Sequence, residues 1–256
     1  MAAKSLLYDH PTGTFIPTIF EKSENIGGLW PISTEDVDGL INPDMCTNQS
    51  RHTVAFSDLA WGDDAGLFPK AWQVGQYLKR YQDKYLAPKN MEVKTGWKVV
   101  KGMRAAEGKW NVTVEEVSSG KSETLKFDHL IVATGFFGEP KIPRTLSSAV
   151  ESGPRIIHSS KFRNIRDLLV DRKPGKIVIV GGQMSGVEVA ASVATQLSSE
   201  IWSPGPGSLP DTEKFEIHHV VSRPLWIMPL YLPTESTLEV SGGKAALVRW
   251  SNSSFC

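Results

Sequence analysis

KIVIVGGQMSGVEVAASVA, residues 176–194, decides how the rest of the chain is read. Lys176 to Val180 is an apolar run of the kind that forms a strand buried on both faces of a parallel sheet. Two glycines follow, and Ser185 to Leu197 then has helical character. A strand feeding a glycine turn and a helix aims free backbone N–H groups and the positive end of the helix dipole at a phosphate. Gly181 permits the tight turn, and Gly186 lets helix and strand pack closely. Gln183 stands where G-x-G-x-x-G has its middle glycine, with Gly182 beside it to supply the close backbone approach. Gly181 to Glu188, including Ser185 and Val187, is the candidate phosphate-binding turn. An ordinary tight turn between strand and helix would use the same residues.

The chain returns as a strand over Ile217 to Ser222, completing a βαβ unit. Its connection, Ser198 to Lys214, is long and rich in Ser, Pro and Gly, which predicts a surface insertion. Where the second strand of a dinucleotide unit ends, an acid selects NAD and an Arg accommodates a 2′-phosphate. Ser222 and Arg223 therefore point to NADPH, although a solvated surface Arg has the same appearance.

Upstream, Ala2 to Tyr8 is expected as the tail of a short helix and Phe15 to Glu21 as a strand. Pro69 to Tyr85 has a helical period, with Trp72, Tyr77, Leu78, Tyr81 and Tyr85 mostly on one side. The β-like runs Glu92–Lys94, Trp97–Val100, Trp110–Glu115 and Leu125–Phe127, with a turn at Ser118 to Gly120, suggest a small antiparallel meander. His129 to Ala133 is expected as another strand buried on both faces. Pro140, Pro143 and Gly153 mark a domain boundary. Glu21, at the end of its strand, is placed to accept ribose hydroxyls of an adenosine, and Gly27 and Gly28 allow close approach of a ligand.

The 256 residues suffice for one large or two modest domains. Lys plus Arg and Asp plus Glu are equal at 28 each, which argues against a nucleic-acid partner and for a small-molecule one. Cys46 and Cys256 form no C-x-x-C pair for zinc or dithiol chemistry. No metal site is read, and neither G-x-S-x-G nor H-E-x-x-H is present. His218 and His219 are neighbours on a strand and face opposite ways. Without a signal peptide or a membrane-spanning apolar stretch, a cytoplasmic location is expected.

FEKSENIGGLW (20–30), CTNQSRHTVAFSDLAW (46–61), DHLIVATG (128–135) and HSSKF (158–162) occur in the order found in flavin-containing monooxygenases. The chain resembles this class B flavin monooxygenase family from Ala2 to about Leu232. The resemblance implies that Glu21 holds the adenosine ribose of FAD and that Gly28, Leu29 and Trp30 lie along the cofactor. It implies that Thr47 and Asn48 touch NADP, and that Asn48 and Gln49 touch FAD. Asn48 falls at the position near the reactive flavin edge, the candidate catalytic residue. Ala133, Thr134 and Gly135 match the turn between the two nucleotide domains. His158 and Phe162 match the H-x-x-x-Y/F end of the family fingerprint, whose earlier Phe and Gly do not align.

The resemblance implies an α/β fold with two Rossmann-like dinucleotide-binding domains and a small antiparallel β meander. Residues 1–142 are expected to be a partial FAD domain lacking its first strand and glycine-rich loop. Residues 143–233 are expected to be a partial NADPH domain, and 234–256 an unplaced tail; a full member would continue for about a hundred residues or more. The implied activity is NADPH-dependent oxygenation of a nitrogen, sulfur or carbonyl centre of a small molecule by O₂, through a C4a-hydroperoxyflavin. The alternative is an inactive truncated remnant that at most binds NADP.

Overall fold

The computed structural model describes residues 1–87, 89, 91–147, 153, 155–169, 173–222, 226–227 and 248–249. The chain divides into two compact units, Met1–Glu139 and Pro140–Cys256.

The first unit opens with helix α1 (Ala2–Tyr8) and strand β1 (Thr18–Glu21). β1 is shorter than the expected Phe15–Glu21 because Pro17 has no N–H to donate to a ladder. Only the carbonyl of Pro17 takes part, accepting from the N–H of Glu92 at 3.3 Å. Helix α2 (Ala71–Tyr85) follows. The Gln73 side chain accepts from the N–H of Lys70 at 2.9 Å, closing the first turn. Ala71, Val74, Tyr77 and Tyr81 form its buried face. Lys4 of α1 pairs with Asp58 at 2.9 Å beneath this helix.

Strand β2 (Glu92–Thr95) pairs in parallel with β1, Glu21 opposite Thr95. Glu92–Lys94 thus leaves the antiparallel meander in which it was expected. The left-handed turn at Gly96, φ +72°, separates it from β3 (Trp97–Arg104). The meander itself is β3, β4 (Trp110–Glu116) and β5 (Ser122–Phe127), all antiparallel, with a bulge between Val99 and Lys101. Val112 and Val114 of the central strand are buried, and Phe127 meets Phe20 of β1 edge to face at 6.0 Å.

His129 to Ala133 is not a strand. His129 packs on Phe15 at 6.4 Å, after which Ile131 and Val132 are 57% and 74% exposed. A strand buried on both faces needs neighbours to take its N–H and C=O groups. Among the described residues, β1 pairs with β2 and the meander pairs within itself, so no ladder receives this segment.

The second unit contains the short helices α3 (Arg144–Ser147) and α4 (Ile165–Leu168), then β6 (Lys176–Val180), α5 (Met184–Trp202) and β7 (Glu216–Val220). β6 and β7 are parallel, Val180 opposite Val220. Ile177 and Ile179 of β6, Val193 and Leu197 of α5, and Phe162 and Ile165 form one core. Only one face of β6 is buried: Val178 and Val180 are 57% and 66% exposed. The expectation of two buried faces is therefore corrected, since α5 covers one side only among the described residues. The connection after α5 is also more than a surface insertion. Leu209 enters the core at 4% exposure, and its N–H donates to Glu200 Oε2 at 3.0 Å. A last pair, β8 (Trp226–Ile227) and β9 (Val248–Arg249), is antiparallel; otherwise residues 234–256 lie outside the described residues.

Candidate functional site

The turn between β6 and α5 is built around close backbone approaches. Gly181 has φ +130°, a conformation that L side chains rarely adopt. Its N–H donates to the Val220 carbonyl at 3.0 Å, tying the turn to β7. His219 Nε2 lies 2.6 Å from the Gly181 carbonyl oxygen. A carbonyl only accepts, so Nε2 carries the proton there. Neighbouring His218 meets Glu216 at 3.0 Å on the other side of the strand. The alternation read from the sequence is thus observed, and His219 has a local task the sequence did not indicate.

A Cβ on Gly186 would stand 2.0 Å from the Gly181 carbonyl oxygen, and one on Gly182 would meet Val221 at 3.1 Å. The first intrahelical bond of α5 runs from Val187 N–H to the Gln183 carbonyl at 3.1 Å. The N–H groups of Met184, Ser185 and Gly186 therefore precede it. Gln183 provides no side-chain cap, and the first turn has no acidic residue. This arrangement fits a phosphate: open N–H donors, a helix of 19 residues behind them and no competing carboxylate in the first turn. Glu188, one turn further in, is half-buried, and burial pushes its carboxyl above the ordinary value. Ser222 is exposed beyond the end of β7. Arg223 lies outside the described residues.

In the first unit, Glu21 ends β1, and its Oε1 accepts from the N–H of Ser23 at 2.9 Å. Gly27 and Gly28 both have positive φ, +148° and +65°. Leu29 and Trp30 then reach α2, where a Cβ on Gly75 would stand 2.0 Å from the Pro31 carbonyl oxygen and 3.1 Å from that of Trp30. Thr47 is buried; its N–H donates to Pro69 at 2.9 Å, and its Oγ1 donates to the Gln49 carbonyl at 2.7 Å. Asn48 and Gln49 are exposed. Both expected flavin-facing segments, Gly28–Trp30 and Thr47–Gln49, are thus fastened around the N-terminal half of α2. Ala133, Thr134 and Gly135 are exposed, with Gly135 at φ +76°.

His158 does not hang free in its segment: its Nδ1 accepts from the Ser160 N–H at 3.2 Å, capping a short turn, and Phe162 is buried in the core. Gly75 was not singled out by sequence reasoning. The available signal was a glycine inside a helical pattern, which costs about 1 kcal/mol against Ala and tends to persist for a packing reason.

No helix among the described residues is long and apolar enough to cross a membrane. The profile of the flavin-binding monooxygenase-like family matches residues 12–208. Flavin-containing monooxygenase 3 of Macaca mulatta is 30% identical over 202 residues, covering 75% of this chain and 36% of that protein. The thiol-specific monooxygenase of Saccharomyces cerevisiae is 25% identical over 214 residues, covering 81% of this chain and 48% of that protein. Among solved structures, S-allyl-L-cysteine S-oxygenase from Allium sativum has a TM-score of 0.58 at 22% identity, covering 84% of this chain and 52% of that one. A flavin-containing monooxygenase from Stenotrophomonas maltophilia has a TM-score of 0.52 at 18% identity, covering 80% and 50%. The chain spans about a third to a half of the length of the curated relatives it matches. FAD and NADP, the two cofactors expected here, are those of this family. With its profile matched over most of its length, the chain belongs to the flavin-binding monooxygenase-like family.

Proposed function

We propose that the chain is the nucleotide-binding portion of an FAD- and NADPH-dependent monooxygenase, built on two Rossmann-like units, that transfers one atom of O₂ to a nitrogen, sulfur or carbonyl centre of a small molecule. The observation that carries this reading is the β6–α5 turn, where Gly181, Gly182 and Gly186 bring backbone against backbone before open helix N–H groups. The N–H groups of Met184, Ser185 and Gly186 would hold the NADP pyrophosphate. Ser222 and Arg223 would stand by the 2′-phosphate.

Glu21 would accept the adenosine ribose hydroxyls of FAD, and the Gly28–Trp30 backbone would run along it. Asn48 would sit by the reactive flavin edge and exclude water from it. A bound flavin supplies the redox and oxygen-activating chemistry; the residues of this chain bind and orient. A cytoplasmic setting belongs to the same reading.

The test is to purify the full chain and measure retained flavin by absorbance and NADPH-dependent O₂ uptake. Yellow protein that consumes O₂ only with NADPH supports the proposal; folded, colourless and inert protein contradicts it for this chain. A second reading, a non-catalytic chain that binds NADP without flavin, is favoured by the exposure of Ile131 to Gly135 outside any sheet. NADP binding together with a failure to take up FAD would select it.

A further inference from the structure

We propose that a cleft beside α2 binds a small zwitterion of the amino-acid type, with its carboxylate on Arg80 and its ammonium on Asp64. The cavity measures about 130 Å³ and is lined by Trp61, Asp64, Ala65, Trp72, Gln73, Gln76 and Arg80. A cleft of this size takes only a small occupant.

The apolar walls are pre-formed. Trp61 stacks on Tyr77 with ring centroids 4.4 Å apart, and its Nε1 donates to the Val54 carbonyl at 2.5 Å. Trp72 has a buried Nε1 with no hydrogen-bond partner.

The charges are also arranged for a partner with both signs. A Cβ on Gly62 would stand 2.4 Å from Asp64 Oδ1 and 3.5 Å from Arg80 Nη1, so the absent side chain keeps the space between them open. Arg80 lies over the Tyr77 ring at 5.7 Å, and neither it nor Asp64 has an ion-pair partner among the described residues. The Gln73 amide oxygen is taken by the Lys70 N–H, which leaves its NH₂ to donate. The Gln76 NH₂ donates to the Ile32 carbonyl at 3.2 Å, which leaves its oxygen to accept. Arg80 and Gln73 thus provide donors for a carboxylate, while Asp64 and Gln76 provide acceptors for an ammonium. A simple anion would meet Asp64, and a simple cation would meet Arg80; a zwitterion matches both.

The site needs neither flavin nor NADP, so its test is independent of the proposed function. The full chain is titrated with L-alanine, acetate and methylammonium, following tryptophan fluorescence and calorimetric heat. L-Alanine is expected to bind at least about tenfold more tightly than either half-molecule, and Arg80→Gln and Asp64→Asn are each expected to weaken it about tenfold, the loss of one charge-assisted hydrogen bond. Both substituted side chains are exposed, and unchanged melting curves verify that the variants fold. Absence of L-alanine binding would overturn the proposal. So would equal binding of all three probes, or binding indifferent to both substitutions, which would mark an adventitious additive only.

Discussion

Gly186 faces the carbonyl oxygen of Gly181 at a separation that leaves no room for a side chain: a Cβ there would stand 2.0 Å from the oxygen. The obstacle is backbone, so it cannot rotate aside. Gly186→Ala must push α5 away from the end of β6, with a loss of about 1–3 kcal/mol from overpacking and a weaker hold on any phosphate. Thermal unfolding and NADP⁺ titration of the variant measure both effects.

Gly75 plays the corresponding part in the first unit. Its approach to the Pro31 carbonyl, again 2.0 Å for a Cβ, sets where Gly28–Trp30 passes over α2. Helix propensity alone would make Gly75→Ala stabilising by about 1 kcal/mol. The structure predicts the opposite sign, a lower melting temperature, together with reduced flavin uptake in refolding with FAD. A more stable variant would refute the close packing.

The Tyr77 hydroxyl accepts from the Phe56 N–H at 2.8 Å and donates to the Leu59 carbonyl, while its ring is buried between Phe56 and Trp61. Tyr77→Phe preserves the ring and strands both backbone groups. A loss of about 1–3 kcal/mol is expected, measured by urea unfolding at constant m-value.

Glu188 gives a pH signature. Burial raises its folded carboxyl pKa above the ordinary 4.5. The folded state therefore holds the proton more tightly, and the contribution of this group is most favourable below pH 4.5 and lost as pH rises through the folded value. Glu188→Gln is expected to stabilise the protein at neutral pH, with an advantage that fades as the pH falls through the raised value of Glu188 and is gone below pH 4.5. Parallel melts of wild type and variant across that range give the comparison; a pH-independent difference would contradict the assignment.

Much of this organisation was legible because it is periodic or local. The tyrosines of α2 recur at helical spacing, the meander strands alternate between turn residues, and Gly181 and Gly186 stand at the spacing that a tight strand-to-helix turn demands. What was illegible depends on partners distant in sequence. The run from His129 to Ala133 is apolar enough for burial, but apolar character does not supply the neighbouring strand that burial requires. Gly75 is explained by Pro31, 44 residues earlier, and His219 by the Gly181 carbonyl across a parallel ladder. Leu209 lies in a segment rich in Ser, Pro and Gly whose composition says surface, yet its single leucine is part of the core.

On the proposed function, the β6–α5 turn holds the phosphates of NADP. The most direct measurement is a calorimetric titration of the folded full chain with NADP⁺, run beside Gly186→Ala. Saturable binding in the wild type, weakened about tenfold or more in the variant, is the predicted result. A folded wild-type chain that takes up no NADP⁺, or a variant that binds it equally well, would contradict the account.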